Sequence, residues 1–161
     1  MKEQQTIRAI IAIDNRRGLA NEQGIPWSLP SDRAYVRDKT YGSNLLMGYG
    51  TYIEFAQPLP GRKNLVVTDG QGPLRDGFEA VADLEKFMKN PPDNLWVFGG
   101  AGLFERVMDH LDELYITQLQ GDFGCTKFFP EYKEEFELTR ESPPQLENGI
   151  RFTYQIWKRK H

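Results

Sequence analysis

The distribution of apolar residues along the chain predicts alternating strands and helices. Residues 7–13 form an almost continuous β-branched run, which is typical of a buried central strand. In 83–90 the apolar residues recur at helical spacing until two prolines end the pattern. The same reasoning along the chain predicts strands at 7–13, 44–47, 63–68, 78–81, 95–98, 113–119, 136–141 and 150–158, and helices at 31–40, 50–55, 83–90 and 103–110.

The order of these elements predicts the fold class. The first five or six strands alternate with helices, which favours a mostly parallel sheet covered on both faces. The last two strands are joined by a polar loop with proline and glycine, so we expect an antiparallel hairpin at one edge. The sequence therefore predicts one α/β domain, residues 1–161, with an eight-stranded mixed, mostly parallel sheet, flanking helices and a C-terminal antiparallel hairpin.

Composition excludes several classes of function. A formal net charge of -3 does not favour nucleic-acid binding. The chain has one cysteine, Cys125, and two histidines, so we expect neither an intramolecular disulfide nor a metal site. The apolar run 7–13 contains Arg8 and is too short for a secretion signal or a membrane span. We therefore expect a cytoplasmic protein without a membrane or nucleic-acid partner. We also expect a monomer, although composition does not address the oligomeric state.

Asp32 is the first candidate for chemistry, and two interpretations are open from its local sequence. It follows Pro30 and Ser31 at the start of a predicted helix, where a carboxylate commonly interacts with the helix dipole. Its apolar neighbours, among them Trp27 and Val36, indicate instead a carboxylate in an apolar pocket, with a raised pKa and the ability to bind or move protons.

Two glycine turns each connect a buried strand to a helix, at 47–51 and at 98–102. A strand-to-helix turn often needs glycine for steric reasons alone, so either turn by itself favours turn geometry over function. Free N–H groups at such turns also favour phosphate oxygens, and two turns in one α/β domain favour a dinucleotide beyond the carboxyl ends of the strands. Arg62 lies in a rigid Pro-Gly turn and is a candidate partner for a ligand carboxylate. The residues for acyl transfer, glycoside hydrolysis or metal hydrolysis are missing, which leaves hydride transfer as the best reaction class.

An ordered set of motifs resembles the dihydrofolate reductase family over most of the chain, from about Ile7 to Trp157. The motifs are Pro26-Trp27-Ser28-Leu29-Pro30-Ser31-Asp32, Met47-Gly48-x-x-Thr51, Pro58-Leu59-Pro60-Gly61-Arg62-Lys63-Asn64, Gly99-Gly100, Leu114-Tyr115-Ile116-Thr117 and Phe129-Pro130. The resemblance implies NADPH-dependent reduction of 7,8-dihydrofolate, with hydride delivered to C6 and a proton to N5. The product would be tetrahydrofolate for one-carbon metabolism, and the enzyme would be an antifolate target.

The resemblance also implies roles for individual residues. Asp32 would hold the pterin and promote protonation of N5, with Thr117 beside it and Ile25 near the transferred hydride. Arg62 would bind the glutamate α-carboxylate, and loop 15–24 would close over the nicotinamide. Gly99-Gly100 would be a cis peptide. The implied substrate-binding residues are Ile10, Trp27, Asp32, Val36, Phe55, Leu59, Arg62, Phe98 and Thr117. The implied cofactor-binding residues are Ala12, Leu19, Ala20, Gly48, Tyr49, Gly50, Thr51, Thr68, Asp69, Gly99, Gly100, Ala101, Gly102, Leu103 and Phe104.

Several positions depart from the family pattern, chiefly at the adenosine end of the cofactor. Tyr49 and Gly102 stand where basic or polar residues are usual, and Asp69 stands where a serine commonly meets the 2′-phosphate. Because an acid repels a 2′-phosphate and can accept from a ribose hydroxyl, we hypothesise a weak or reversed preference for NADPH over NADH. Ala20 replaces a glycine of the lid, and Cys125-Thr126 replaces Gly-Asp before the late Phe-Pro.

Two alternatives to a dihydrofolate reductase remain open from the sequence. A reductase of riboflavin biosynthesis would have the same fold, but Asp32 after Leu-Pro-Ser and the Pro60-Gly61-Arg62 turn argue against it. The second alternative is a folate- or nucleotide-binding protein without turnover. It stays open because Tyr49, Asp69 and Gly102 depart from the family pattern at the cofactor site.

Overall fold

The apolar run Ile7–Ile13 forms the central strand β1 of a mixed sheet in the computed structural model, which describes residues 6–161. The polar start of the chain, residues 1–5, lies outside the described part, as do the predictions that concern it. The other strands are β2 (Gly18–Ala20), β3 (Asn44–Gly48), β4 (Lys63–Val67), β5 (Phe78–Val81), β6 (Leu95–Gly99), β7 (Glu113–Leu119), β8 (Lys127–Phe128), β9 (Phe136–Glu141), β10 (Gln145–Glu147) and β11 (Ile150–Arg159). The helices are α1 (Pro30–Thr40), α2 (Tyr49–Glu54), α3 (Leu84–Lys89) and α4 (Ala101–Val107), which continues into a 3-10 turn, Met108–His110.

The main sheet has the strand order β10-β11-β7-β1-β6-β3-β4-β5, and β9 also pairs with β11. All pairs from β7 to β5 are parallel, whereas β11 pairs antiparallel with β7, β9 and β10. The predicted mixed, mostly parallel sheet with an antiparallel edge is therefore confirmed. The carboxyl ends of β1, β6, β3 and β4 all meet at one edge of this sheet, where the segments that follow them lie side by side.

The predicted number of strands is wrong, because the main sheet contains nine strands within the described residues. The additional strand is β10, which lies in the segment predicted as the hairpin loop. The segment 15–24, interpreted from the sequence as a loop, also contains a strand, β2, which pairs with β8 in a separate two-stranded sheet. Strands of two or three residues are too short to show an alternating pattern, so their partners, and not their own sequence, define them.

Helix α1 is held against one face of the sheet by a small apolar cluster. Ile10, Leu45 and Trp96 from three neighbouring strands form its buried part, and Tyr35 and Val36 of α1 pack against them. Burying these side chains fixes which face of α1 is turned to the sheet. Since Asp32 lies one helical turn before Val36, the same packing directs Asp32 towards the edge at which the parallel strands end.

Candidate functional site

Asp32 contacts the sheet and does not cap its own helix. Helix α1 begins at Pro30, and the preceding residue, Leu29, provides no side-chain cap. The Asp32 carboxylate instead accepts a hydrogen bond of 2.6 Å from the Thr117 hydroxyl in β7. Thr117 is almost fully buried, at 1% exposure, and the β1–β7 register places it beside Ala12. The tertiary contact therefore favours the pocket interpretation of Asp32 over the capping one.

The surroundings of Asp32 raise the pKa of its carboxyl group. Burial is the main cause, because an apolar environment disfavours the charged form. The hydrogen bond from Thr117 opposes this effect, and the charge of Glu147 adds to it. A half-buried carboxyl group with a raised pKa and a single hydroxyl partner within the described chain can both orient a polar ligand and favour its protonated form.

Asp32 lies in the wall of a cavity of about 410 Å³, which is large enough for a flat heteroaromatic ring. The cavity brings together residues from the end of β1, the segment before α1, α1 itself, the end of α2 and the end of β6. Its lining residues are Ile10, Ile11, Ala12, Leu19, Ile25, Trp27, Leu29, Asp32, Arg33, Val36, Arg37, Glu54, Phe55, Leu59 and Phe98. Every residue predicted for the substrate is among them except Thr117, which contacts Asp32 from behind, and Arg62.

Arg62 lies in an adjoining cavity of about 610 Å³, which is partly lined by the same Arg37 and Leu59. Its guanidinium donates to the Thr40 hydroxyl (3.0 Å) and to the carbonyls of Arg37 (2.6 Å) and Pro60. Because a guanidinium has five N–H groups, these bonds orient it and leave two N–H groups for a ligand. Burial, together with the nearby Arg37 charge, lowers the pKa of Arg62, and an anionic ligand would relieve both effects.

The two glycine turns lie next to each other at the ends of β3 and β6. A Cβ atom on Gly48 would lie 3.7 Å from the Gly99 carbonyl oxygen, and one on Gly100 would lie 3.7 Å from the Thr51 hydroxyl. Gly50 and Gly102 face open space, since a Cβ on either would meet no described atom within 4 Å. Neither α2 nor α4 has a side-chain cap within the described chain, so their first N–H groups are available to a ligand. These turns therefore fit the phosphates of a dinucleotide, and the Gly99-Gly100 peptide is cis, as the resemblance implies.

Not every predicted cofactor residue offers an atom to a ligand. The Phe104 side chain is fully buried and packs against Phe129, and its N–H donates to the Gly100 carbonyl. Leu103 is 5% exposed, which leaves its backbone N–H as the group that can contact a ligand. Thr68 is also buried, whereas Asp69 beyond it is exposed. The structure gives Phe104 a supporting role beneath the turn.

The segment 15–24 is tied to the loop that carries Cys125. The Ala20 carbonyl accepts from the Thr126 N–H (2.9 Å), and the Thr126 hydroxyl donates to Glu22 (2.8 Å). A Cβ on Gly18 would lie 2.4 Å from the Cys125 Cβ, so glycine is required where the two segments cross. The unusual Cys125-Thr126 pair thus fits its neighbours in this chain, and β2 holds Leu19 against the cavity.

Sequence reasoning missed several residues of this region. Arg33 and Arg37 line the cavity beside Asp32 and Val36, and their helical spacing was a signal that could have identified them. Glu147 accepts from the N–H and hydroxyl groups of Ser31, at 3.1 and 2.8 Å, across 116 residues of sequence. No local pattern indicates that contact.

Among the described residues there is no group of three or more His, Cys, Asp or Glu able to hold a metal, and no helix is long and apolar enough to cross a bilayer.

Comparisons with known proteins agree on one family. The family profile described as dihydrofolate reductase matches residues 6–159. Dihydrofolate reductase of Staphylococcus aureus (strain Mu50 / ATCC 700699) is 32% identical over 152 residues, which span 92% of this chain and 95% of that protein. The Bacillus subtilis (strain 168) enzyme is 34% identical over 130 residues, or 80% and 77% of the two chains. A structure described as dihydrofolate reductase from Enterococcus faecalis complexed with NADP(H) and RAB-propyl has a TM-score of 0.87 at 24% identity, covering 97% of both chains, which shows the same fold.

Proposed function

The chain belongs to the dihydrofolate reductase family, and on that premise we propose that it reduces 7,8-dihydrofolate to tetrahydrofolate with NADPH. The observation that carries this proposal is the Asp32 carboxyl group in the cavity wall, with its pKa raised by burial and one oxygen bound by Thr117. A pterin presents a ring N–H and an amino group to such a carboxylate, and its flat ring matches an apolar cavity of this size.

The residues of the chain act by binding and by controlling a proton. Asp32 orients the pterin and favours the ring protonated at N5, which makes C6 a better hydride acceptor. Thr117 holds the carboxylate in position through its 2.6 Å hydrogen bond. Val36 and Phe98 supply apolar walls that exclude water and strengthen these polar interactions.

The turns at the ends of β3 and β6 would hold the cofactor. When bound, NADPH would supply the hydride and would become NADP⁺. The uncapped N–H groups after Gly48 and Gly100 suit its phosphates, and Leu19 and Ile25 place apolar surface where the cofactor and substrate sites meet. The segment 15–24 would cover the nicotinamide.

Arg62 would bind the α-carboxylate of the glutamate tail. Its two remaining N–H groups and its fixed orientation suit a bidentate contact with a carboxylate. A pterin substrate without glutamate would not use this contact. We therefore expect the wild-type enzyme to show a KM about tenfold higher for a dihydropterin lacking glutamate than for dihydrofolate, with the difference abolished in Arg62→Gln.

The loss of NADPH absorbance in the presence of dihydrofolate tests the function. We expect turnover by the wild type and a decrease in kcat/KM of about a thousandfold in Asp32→Asn, which keeps the shape of the side chain but cannot titrate. Ligand binding without turnover by the wild type would support a binding protein, and activity on a riboflavin precursor would support the reductase of that pathway. Either result would contradict the proposal.

We also propose that residues 1–161 work as one domain and as a cytoplasmic monomer without nucleic-acid or membrane partners. The continuous sheet, the net charge of -3 and the single buried cysteine support this. Sedimentation of the purified protein would test the monomer directly.

A further inference from the structure

Asp69 and Arg106 form an ion pair that sequence reasoning did not identify. The Arg106 guanidinium donates to both carboxylate oxygens of Asp69, at 2.8 and 3.2 Å. Asp69 follows the end of β4, and Arg106 lies in the last turn of α4, which follows β6. Because β3 lies between β6 and β4 in the sheet, the pair connects the segments that follow two strands on either side of β3.

This ion pair is poorly suited to stabilising the fold. The two side chains are 46% and 56% exposed, and exposed pairs contribute only about 0–1 kcal/mol to stability. The low cost of separating such a pair means that Arg106 can exchange Asp69 for another anion that arrives from solvent. Asp69 itself has a φ of 47°, a left-handed backbone conformation in which Asp and Asn are enriched.

The position of the pair corresponds to the adenosine half of a dinucleotide. The cavity that contains Asp32 involves the ends of β1 and β6, so the reacting rings meet there and the cofactor must extend along the strand ends towards β4. In dinucleotide sites a carboxylate after a strand accepts from a ribose hydroxyl group, whereas a nearby arginine accommodates a 2′-phosphate. This pair contains both kinds of residue in contact with each other.

We propose, on the basis of the function proposed above, that the Asp69–Arg106 pair determines the selectivity between NADPH and NADH. Arg106 leaves Asp69 and binds the 2′-phosphate of NADPH bidentately. With NADH the pair stays intact, and Asp69 accepts from the ribose hydroxyl. Tyr49 and Gly102 supply no positive charge, so Arg106 is the cation of this set that can oppose the repulsion by Asp69. The preference for NADPH is therefore retained but moderated by the loss of the pair.

Calorimetric titration with NADP⁺ and NAD⁺ tests the proposal by binding alone, without turnover. Arg106→Gln should weaken NADP⁺ binding by about tenfold while changing NAD⁺ affinity by less than about twofold. Asp69→Asn frees Arg106 and tolerates the same φ, so it should tighten NADP⁺ binding by about threefold and weaken NAD⁺ binding. The double variant should bind NADP⁺ more tightly than Arg106→Gln, because the carboxylate that repels the 2′-phosphate is gone, but more weakly than Asp69→Asn, because the guanidinium is missing.

Lys63→Gln is the matched control, because it removes the same charge from an exposed pair with Glu79 at the opposite end of β4. It should leave the affinity ratio of the two cofactors unchanged, and Arg106→Gln alone should reduce the salt dependence of NADP⁺ binding. Equal effects of Arg106→Gln on both cofactors, or none on either, would overturn the proposal. A wild-type protein that binds neither cofactor would instead contradict the proposed function.

Discussion

Asp32 and Asp14 are two carboxylates near the end of β1. Both are at least partly buried, yet their pKa values are shifted in opposite directions. Asp14 is 1% exposed, and burial by itself would raise its pKa. However, Asp14 accepts from the N–H groups of Phe123 (3.1 Å), Gly18 (2.8 Å) and Arg16 (2.9 Å), and its pKa is lowered overall. Within the described residues Asp32 accepts from a single hydroxyl group, and its pKa is raised.

The comparison shows that the supply of donors decides the role of a buried carboxylate here. Asp14 is an anion at neutral pH, and it connects β1, the segment with β2 and the loop at Phe123. Cys125 beside it stays a thiol, because burial and the Asp14 charge raise its pKa to about 11. Asp32 keeps unsatisfied hydrogen-bonding capacity facing a cavity, which is what a ligand needs.

The largest expected difference concerns stability. Asp14→Asn should lower the free energy of unfolding by about 3 kcal/mol, since an amide places N–H groups against buried backbone donors that have lost their anion. Urea unfolding measures this effect. Asp122→Asn removes an exposed carboxylate from the neighbouring loop and should cost less than about 1 kcal/mol. Equal losses in the two variants would contradict the role of the three N–H donors.

The next effect concerns catalysis. Thr117→Val removes the hydroxyl that donates to Asp32, so we expect kcat/KM for dihydrofolate to fall by about tenfold. The pKa of Asp32 should rise further, which moves the pH profile of the hydride-transfer step upward. Thr117→Ser keeps the hydroxyl and should keep both the rate and the profile. A loss in both variants would indicate packing, and not the hydrogen bond, as the cause.

The two carboxylates should also contribute to stability with opposite dependence on pH. Asp14 stabilises the fold above its ordinary pKa of 3.8, and this contribution is lost as the pH falls towards its lowered pKa in the folded protein. For Asp32 the unfolded chain loses its proton first, so stability decreases as the pH rises from 3.8 through the raised pKa. Asp32→Asn should therefore have a higher Tm than the wild type at pH 7, and the difference should vanish below pH 3.8. A constant difference at all pH values would exclude titration as its origin.

The smallest expected effect comes from Glu147. Its charge raises the pKa of Asp32, and Glu147→Gln removes that charge while its amide oxygen still accepts from Ser31. We expect the pH profile to move downward, opposite to Thr117→Val, with kcat/KM changed by about twofold. Glu147→Ala serves as the control that also removes the contact with Ser31. An upward shift in Glu147→Gln would contradict the electrostatic interpretation.

The local sequence determined much of this protein. Residues 7–13 are apolar enough to predict a central strand, and the strand-glycine-helix order of 44–55 and 95–110 predicts parallel pairing with open turns at one edge. Prolines and glycine around Arg62 predict a rigid turn. Asp32 was identified because its apolar neighbours lie within a few residues of it. These features depend on residues close in sequence, so periodicity and turn chemistry report them.

Only the tertiary structure determined which residues form the hydrogen bonds and ion pairs of the candidate site. Thr117 lies 85 residues from Asp32, Glu147 lies 116 residues from Ser31, and Arg106 lies 37 residues from Asp69. The short strands β2, β8 and β10 likewise exist because of the segments with which they pair. The sequence shows an acidic residue at position 69, but it does not show that Arg106, which follows a strand two positions away in the sheet, forms an ion pair with it. The physical reason is that pKa and selectivity depend on distances between groups, which the strand order and register of the folded sheet determine.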